Sequence, residues 1–165
     1  MKVHTLSRTQ RIPLPPEQVF SFFGDPGNLA RITPSWLGFR ILTPLPVEMK
    51  VGTLIDYSIT WVILPILWRT LITTYRPPFS FVDEQLKGPY AYWHHAHEFR
   101  AVDGGTEMTD TVHYLLPGGI LGHIAHTLVV RDQLAAIFDF RAKMIGEFFS
   151  SDMKKNMIPF QEPPR

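Results

Sequence analysis

The sequence contains no cysteine among its 165 residues. Disulfide scaffolds, cysteine-ligated zinc or iron–sulfur sites and thiolate nucleophiles are therefore excluded. An excess of charge of one sign is also lacking, because 16 Lys and Arg residues stand against 15 Asp and Glu residues. Such a balance gives no electrostatic basis for binding nucleic acid.

Long hydrophobic runs are equally scarce. The longest, Ile59 to Trp68, is interrupted by Pro65 and is too short for a membrane span, which needs about 20 residues. The N-terminal segment lacks the apolar stretch of a signal peptide. We therefore expect a soluble protein without stable membrane insertion, and specifically a cytoplasmic, bacterial one.

What the sequence does contain is apolar and aromatic residues, at 45% and 13% of the chain. This composition is typical of a globular protein with a sizeable core. The length predicts one domain, which we place at residues 1–155, followed by a C-terminal tail at residues 156–165.

The hydrophobic pattern changes its period along the chain. Residues 3–12 alternate as in a strand, and residues 16–32 suit two short helices. A run of six strands then extends from residue 38 to residue 116. Residues 131–149 carry apolar side chains at helical spacing and predict one long amphipathic helix. The fold class is therefore α+β, with a curved antiparallel sheet of about seven strands wrapped around a long C-terminal helix.

Four segments resemble those of a known family. They are "IPLPPEQVFSFFGDPGNLARITP", "GTLIDYSI", "DEQLKGPYAYWHHAHEF" and "TEMTDTVHYLLPGG", and with the last helix they span nearly the whole chain. The sequence is similar to the START/birch-pollen-allergen-like (SRPBCC) superfamily, in particular to its polyketide cyclase/dehydrase-like bacterial subgroup. The resemblance implies a helix-grip fold with a hydrophobic cavity between the sheet and the C-terminal helix, but no universal catalytic residue.

The face on which each histidine of "AYWHHAHEFR" lies follows from a hairpin argument. A two-residue loop at Gly104-Gly105 would place His97 opposite Val112 and His95 opposite Tyr114. Side chains alternate along a strand, so one face collects eight mainly apolar residues and is assigned to the cavity. These residues are Trp93, His95, His97, Phe99, Met108, Asp110, Val112 and Tyr114. His94 falls on the outer face.

A polar cluster is therefore predicted inside the protein. It consists of His95, His97, Asp110 and Tyr114, with Asp83 and Gln85 of the preceding strand as further members. Buried ionisable groups need partners, and a carboxylate beside an imidazole fixes its tautomer. Arg69 and Arg141 also lie among apolar residues. Each is expected to pair with an internal carboxylate such as Asp56 or Asp139, or else to bind a ligand carboxylate.

These features predict the binding of a small hydrophobic or amphipathic molecule, such as a lipid. Its predicted contacts are Trp93, His95, His97, Phe99, Asp110, Val112, Tyr114, Asp83, Phe138 and Ile145. One alternative is a polyketide cyclase or dehydratase whose general base is His95 or His97, oriented by Asp110 or Asp83. A second is a protein-interaction module of the same fold, which a filled core would favour. No cofactor is expected, and the spacing of His95 and His97 is only a weak signal for a metal.

Overall fold

The computed structural model describes residues 2–61, 64–119 and 129–156. Its described residues form one antiparallel sheet of seven strands, which confirms the predicted α+β helix-grip fold. The strands are β1 (His4–Ile12), β2 (Arg40–Ile41), β3 (Leu54–Trp61), β4 (Leu64–Arg76), β5 (Ser80–Lys87), β6 (Tyr92–Val102) and β7 (Gly105–Leu115). The α-helices are α1 (Pro16–Phe23) and the C-terminal α2 (Arg131–Asn156). Of the predicted tail, residues 157–165 lie outside the described residues.

The sheet order is β1-β7-β6-β5-β4-β3-β2, so the first and last strands of the chain are neighbours. Two register shifts between β4 and β5, at Arg69/Thr70 and at Ile72/Thr74, interrupt the pairing. Such irregularities bend a strand and increase its twist, which helps the sheet to curve around α2. None of the helices in the described ranges is both long and apolar enough to cross a membrane.

The second of the two predicted short helices is a 3-10 helix, Pro26–Ile32, and a further 3-10 turn follows at Ser35–Leu37. The first segment starts where the Asp25 carboxylate accepts a hydrogen bond from the Gly27 backbone N–H at 2.9 Å. Pro26 and Gly27 both fit this capped turn better than the interior of an α-helix. α1 begins at Pro16, as the sequence predicts.

The predicted register of the β6–β7 hairpin is wrong by two residues. The loop is Asp103-Gly104, and Val102 pairs with Gly105. Gly105 is needed inside the strand, because a Cβ there would lie 2.8 Å from the Cα of Pro13 at the end of β1. A shift of two residues preserves the side-chain alternation, so every residue assigned to the inner face still lies on it.

In the β3–β4 hairpin, Trp61 pairs with Leu64. Pro65, which interrupts the longest hydrophobic run of the sequence, lies within β4 opposite Thr60. β5 pairs with β4 only from Arg69 onward. A proline without a backbone N–H is tolerated at such an edge, where the ladder on that side has no β5 partner.

Buried side chains between the sheet and α2 form two clusters. The first, here called the filled end, centres on Phe20 of α1 and includes Phe99, Met108, Ile145 and Phe149. The second, here called the cavity end, includes Trp68, Trp93, Val112, Tyr114, Leu134 and Phe138. Both clusters contact the same sheet and the same helix, and the candidate site lies where they meet.

Candidate functional site

A cavity of about 200 Å³ lies between the inner face of the sheet and α2. Its wall is largely apolar and includes several aromatic rings, among them Trp68 of β4, Trp93 of β6 and Phe138 of α2. Trp68 and Trp93 meet edge to face with ring centroids 5.2 Å apart, a geometry that aromatic pairs favour. This is the apolar surface that a small-molecule pocket requires.

A cluster of four ionisable residues crosses three neighbouring strands beside this cavity. Asp83 of β5 pairs directly with His95 of β6, and His97 of β6 pairs directly with Asp110 of β7. His95 and His97 are two residues apart on one strand and therefore point to the same face. The sheet register alone thus brings two carboxylates and two imidazoles together.

Each histidine contacts both carboxylates. The Nδ1 atom of His95 lies 3.3 Å from Asp83 Oδ2, and its Nε2 atom lies 3.3 Å from Asp110 Oδ1. The Nε2 atom of His97 lies 3.1 Å from Asp83 Oδ2, and its Nδ1 atom lies 2.7 Å from Asp110 Oδ1. The contacts of Asp110 Oδ1 lack hydrogen-bond alignment, so they act through charge more than through direction.

Burial separates the roles of the two carboxylates. His95, His97 and Asp110 are each at most 6% exposed, whereas the Asp83 side chain is 15% exposed. Asp83 and both histidines line the cavity, while Asp110 lies behind them. Asp83 is therefore the more accessible of the two carboxylates, and Asp110 lies behind the two imidazoles.

Aromatic rings enclose the cluster on several sides. Phe81 stacks on His97 with ring centroids 4.0 Å apart, and Phe138 meets His95 edge to face at 5.5 Å. The two imidazoles themselves lie 3.8 Å apart. In such a surrounding the charges are weakly screened, which strengthens each ionic contact.

The mutual contacts favour the ionised forms of the cluster. Burial alone would raise the pKa of both carboxyls, but His95 and His97 outweigh it and hold the pKa values of Asp83 and Asp110 well below their usual range. Burial also opposes the charged form of His95, yet the two carboxylates raise its pKa above the usual value. The two carboxylates are therefore ionised, and His95 favours the protonated form.

Three residues of this cluster could also hold a metal cation. One ligand atom each from Asp83, His95 and His97 lies within 4.8 Å of the others, and two histidines with one carboxylate form a known ligand set. Metal binding requires neutral imidazoles, however, and the carboxylates raise the pKa of His95. A proton and a metal ion would therefore compete for the same imidazole nitrogens.

The predicted contact residues divide into two groups. Trp93, His95, His97, Asp83 and Phe138 line the cavity. Phe99, Val112, Tyr114 and Ile145 are buried in the core beside or beneath this layer, as Asp110 is. The second group supports the site without forming the surface of the cavity. The alternation of β6 and β7 gives the correct face, but it cannot tell which side chains reach the cavity.

Two expected members of the polar cluster have other surroundings. Gln85 uses its side-chain amide to bind the backbone of Tyr90, through Nε2 to the carbonyl oxygen at 2.7 Å and Oε1 to the N–H at 3.3 Å. Tyr114 packs its ring near Trp93 and Tyr90 in the cavity end. Gln85 thus fixes the turn that brings Tyr90 to the cavity, because the turn residues Pro89 and Tyr90 both line it.

Several cavity residues were not singled out as contacts by the sequence pattern. Trp68 and Tyr57 stack on one another with ring centroids 5.6 Å apart, and both line the cavity. Trp68, Thr70 and Ile72 are buried at every second position of β4. The sequence gives no clear signal for this face, because the apolar residues Leu67 and Leu71 lie on the other one. Arg141, which the sequence singles out only for its apolar neighbours, also lines the cavity.

Comparison with known proteins agrees with this architecture. Residues 12–138 match the model of a family described as polyketide cyclase / dehydrase and lipid transport. No curated protein matches the chain significantly.

Solved structures share the fold at low sequence identity. A protein from Chromobacterium violaceum is 13% identical with a TM-score of 0.65, over 88% of this chain and 96% of that one. Ara h 8.0201 is 15% identical with a TM-score of 0.62, over 91% and 99%. The di-domain ARO/CYC StfQ from the steffimycin biosynthetic pathway is 11% identical with a TM-score of 0.69, over 92% of this chain and 52% of that one. Because the family model spans most of the helix-grip fold, the chain belongs to the polyketide cyclase/dehydrase and lipid transport family, within the SRPBCC superfamily.

Proposed function

We propose that the protein binds a small hydrophobic or amphipathic molecule in the cavity between the sheet and α2. The observation that carries this proposal is that one cavity combines an aromatic wall with an ionised polar group within reach. Trp68, Trp93 and Phe138 offer apolar contact, and Asp83 can accept a hydrogen bond from a hydroxyl or amine of the ligand. The family description, which includes lipid transport, is consistent with such a role.

Native mass spectrometry of the purified protein, with metal analysis of the same sample, gives the first test. We expect a retained organic molecule and no stoichiometric metal. A stoichiometric metal would contradict the ion-pair interpretation and assign His95 and His97 as ligands.

A matched pair of variants tests the location of binding. Ile66 lines the cavity, and the adjacent Leu67 of the same strand is 54% exposed on the opposite face. We expect Ile66→Trp to weaken binding of 1-decanol and of naphthalene-2-carboxamide by about tenfold or more, because the new ring occupies the cavity. Leu67→Trp should bind both molecules like the unmodified protein. Equal affinities in the two variants would place the ligand elsewhere.

A second candidate function is a cyclase or dehydratase that acts on a polyketide-like or aromatic substrate. The observation that favours it is the pairing of each cavity histidine with two carboxylates, which holds the imidazole rings in place. The raised pKa of His95 suits the donation of a proton to a departing hydroxyl group. Removal of a proton next to a carbonyl then falls to His97. The interaction-module alternative has less support, because it is favoured by a filled core.

This second candidate is tested with a linear β-hydroxyketo thioester as substrate. Loss of water should follow a bell-shaped pH–rate profile, and His97→Gln should abolish it. The matched control is His94→Gln, because His94 lies on the outer face of the same strand and does not line the cavity. A rate that survives His97→Gln would rule out the base role and leave the binding function in place.

A further inference from the structure

α2 carries one permanent cation in its otherwise apolar inner stripe. Leu134, Phe138, Ile145 and Phe149 follow each other at helical spacing and are each at most 4% exposed. Arg141 lies three residues after Phe138 and four before Ile145, which places it on the same stripe. It lines the cavity, and its guanidinium group does not deprotonate in proteins.

Within the described part of the chain, Arg141 has no anionic partner. Its Nε atom is fully buried without a hydrogen bond, and none of the ion pairs of the described residues includes it. The guanidinium carbon lies 5.0 Å from the centre of the Phe138 ring. A cation–π contact of this kind attracts the charge but does not neutralise it.

The carboxylates that the sequence offers as partners are already engaged. Asp139 binds Arg8, with Oδ1 at 2.9 Å from Nε, and Asp56 binds Arg69 through two hydrogen bonds. In the cavity, Asp83 and Asp110 each contact both histidines. A partly buried cation without a counter-charge is costly, so an anion supplied by a bound molecule would stabilise it.

We infer that Arg141 anchors the acidic group of the ligand, so that the molecule held in the cavity is an amphipathic carboxylate. This inference rests on the proposed ligand-binding function and defines its chemical class. The planar guanidinium matches a carboxylate through two parallel hydrogen bonds, which an ammonium group cannot reproduce.

The charges around the cavity also orient such a ligand. A carboxylate placed beside Asp83 would be repelled by that like charge, whereas beside Arg141 it would be attracted. The apolar body then lies against Trp68, Trp93 and Phe138, and a hydroxyl group at the far end would reach Asp83. Arg141 and Asp83 both influence Tyr57, whose pKa is raised by burial and by Asp83 and is lowered in part by Arg141.

Two pairs of isosteric molecules test the inference: naphthalene-2-carboxylate with naphthalene-2-carboxamide, and decanoate with decanamide. Each pair differs in charge but hardly in shape, and binding is followed by the fluorescence of the tryptophans in the cavity. We expect the unmodified protein to prefer the carboxylate by on the order of 10-fold to 100-fold. Arg141→Met should abolish that preference while the amide affinities stay unchanged.

Two further variants make the result specific. Arg141→Lys keeps the charge without the planar fork, so it should retain only part of the preference, and it serves also if the Met variant does not fold. Arg69→Met removes an arginine that is paired with Asp56 outside the cavity, and it should keep the full preference. Equal binding of acid and amide, or a preference that survives Arg141→Met, would overturn the inference and leave the proposed function standing. Failure of all four molecules to bind would contradict the proposed function and this inference with it.

Discussion

The filled end and the cavity end are built from the same sheet and the same helix, yet they border the cavity to different extents. Among the buried residues that the structure describes, most of those at the cavity end line it, whereas only Phe22, Ile32 and Phe81 of the filled end do. In the filled end, Phe20 of α1 packs in the core between the sheet and α2. Its ring centroid lies 5.9 Å from that of Phe81 and 5.3 Å from that of Phe99. Phe22 and Phe23 of α1 border the cavity. α1 therefore fills one end of the fold with Phe20 and contributes part of the cavity wall with its last residues.

The ionised cluster marks the boundary between the two ends. Phe81 of the filled end stacks on His97, and Trp93 and Phe138 of the cavity end contact His95 edge to face. The cluster therefore has packed aromatic rings beside it and the cavity in front of it. This arrangement suits a binding site, because side chains that are held by packing can present polar groups to the cavity.

The largest expected effect comes from opening the filled end. Phe20→Ala should lower the free energy of unfolding by about 4 kcal/mol, because a ring that is 4% exposed leaves a void between three neighbouring aromatic rings. Phe138→Ala, at the wall of the existing cavity, should lower it by less, about 3 kcal/mol, since part of that ring faces the cavity. Urea unfolding of both variants measures the difference. Equal losses would mean that the two ends are packed alike.

The next-largest loss of stability is expected from a change in the ionised cluster at the boundary between the two ends. Asp110→Asn should lower the free energy of unfolding by about 3 kcal/mol, because it leaves two buried histidines without one of their counter-charges. The control is Asp139→Asn at an exposed ion pair with Arg8, for which a change near zero is expected. If Asp110→Asn were as mild as the control, the cluster would not hold the two ends together.

A smaller effect is expected from pH. The lowered pKa values of Asp83 and Asp110 provide stability that is present above the unfolded carboxyl pKa of about 3.9 and is lost as the pH falls. The raised pKa of His95 provides stability that is complete below about 6.5 and is lost as the pH rises through its folded value. Unfolding free energies between pH 3 and pH 9 should therefore rise, level off and fall.

Two histidine variants assign the alkaline part of this profile. His95→Gln should flatten the fall above about pH 6.5, since the group that loses its proton is gone. His113→Gln serves as the control, because His113 lies on the outer face of β7, where its Nδ1 contacts Thr5 Oγ1 at 2.9 Å. A fall that persists in His95→Gln, or disappears in His113→Gln, would assign the titration to another group.

The smallest effect concerns metal. Addition of Zn²⁺ to the purified protein should leave the melting temperature unchanged, because a metal must first displace the proton that the carboxylates favour on His95. Asp83→Asn, which removes one of the three ligand atoms, should respond to Zn²⁺ in the same way as the unmodified protein. A rise in melting temperature that Asp83→Asn abolishes would identify a metal site at the boundary.

The comparison also shows what the sequence could and could not predict. The inner faces of β6 and β7 were predictable from side-chain alternation. The register error of two residues did not change them, because the alternation has a period of two. The exact pairs were not predictable, since the predicted register set His97 against Val112 and the structure sets it against Asp110. Neighbours that depend on register therefore need the three-dimensional structure, whereas the face of the sheet does not.

The cavity depends on contacts between residues that are distant in the sequence, and no local sequence pattern predicts such contacts. The aromatic wall joins Trp68 of β4 to Phe138 of α2, which are 70 positions apart in the numbering of the chain. Within the described ranges, Arg141 lacks a carboxylate partner because the neighbouring Asp139 binds Arg8. Helical spacing predicted the inner stripe of α2, but the partners of its one cation follow from packing between distant segments.

Pro65 affects how readily the edge of β4 can pair with a strand of another molecule. Among the described residues, no strand pairs with the edge of β4 beside it, where Leu64 and Leu67 are 67% and 54% exposed. An apolar edge of this kind can recruit a strand from another chain. A proline at this point offers no N–H to an incoming strand, so Pro65 makes this edge a poorer template for intermolecular pairing.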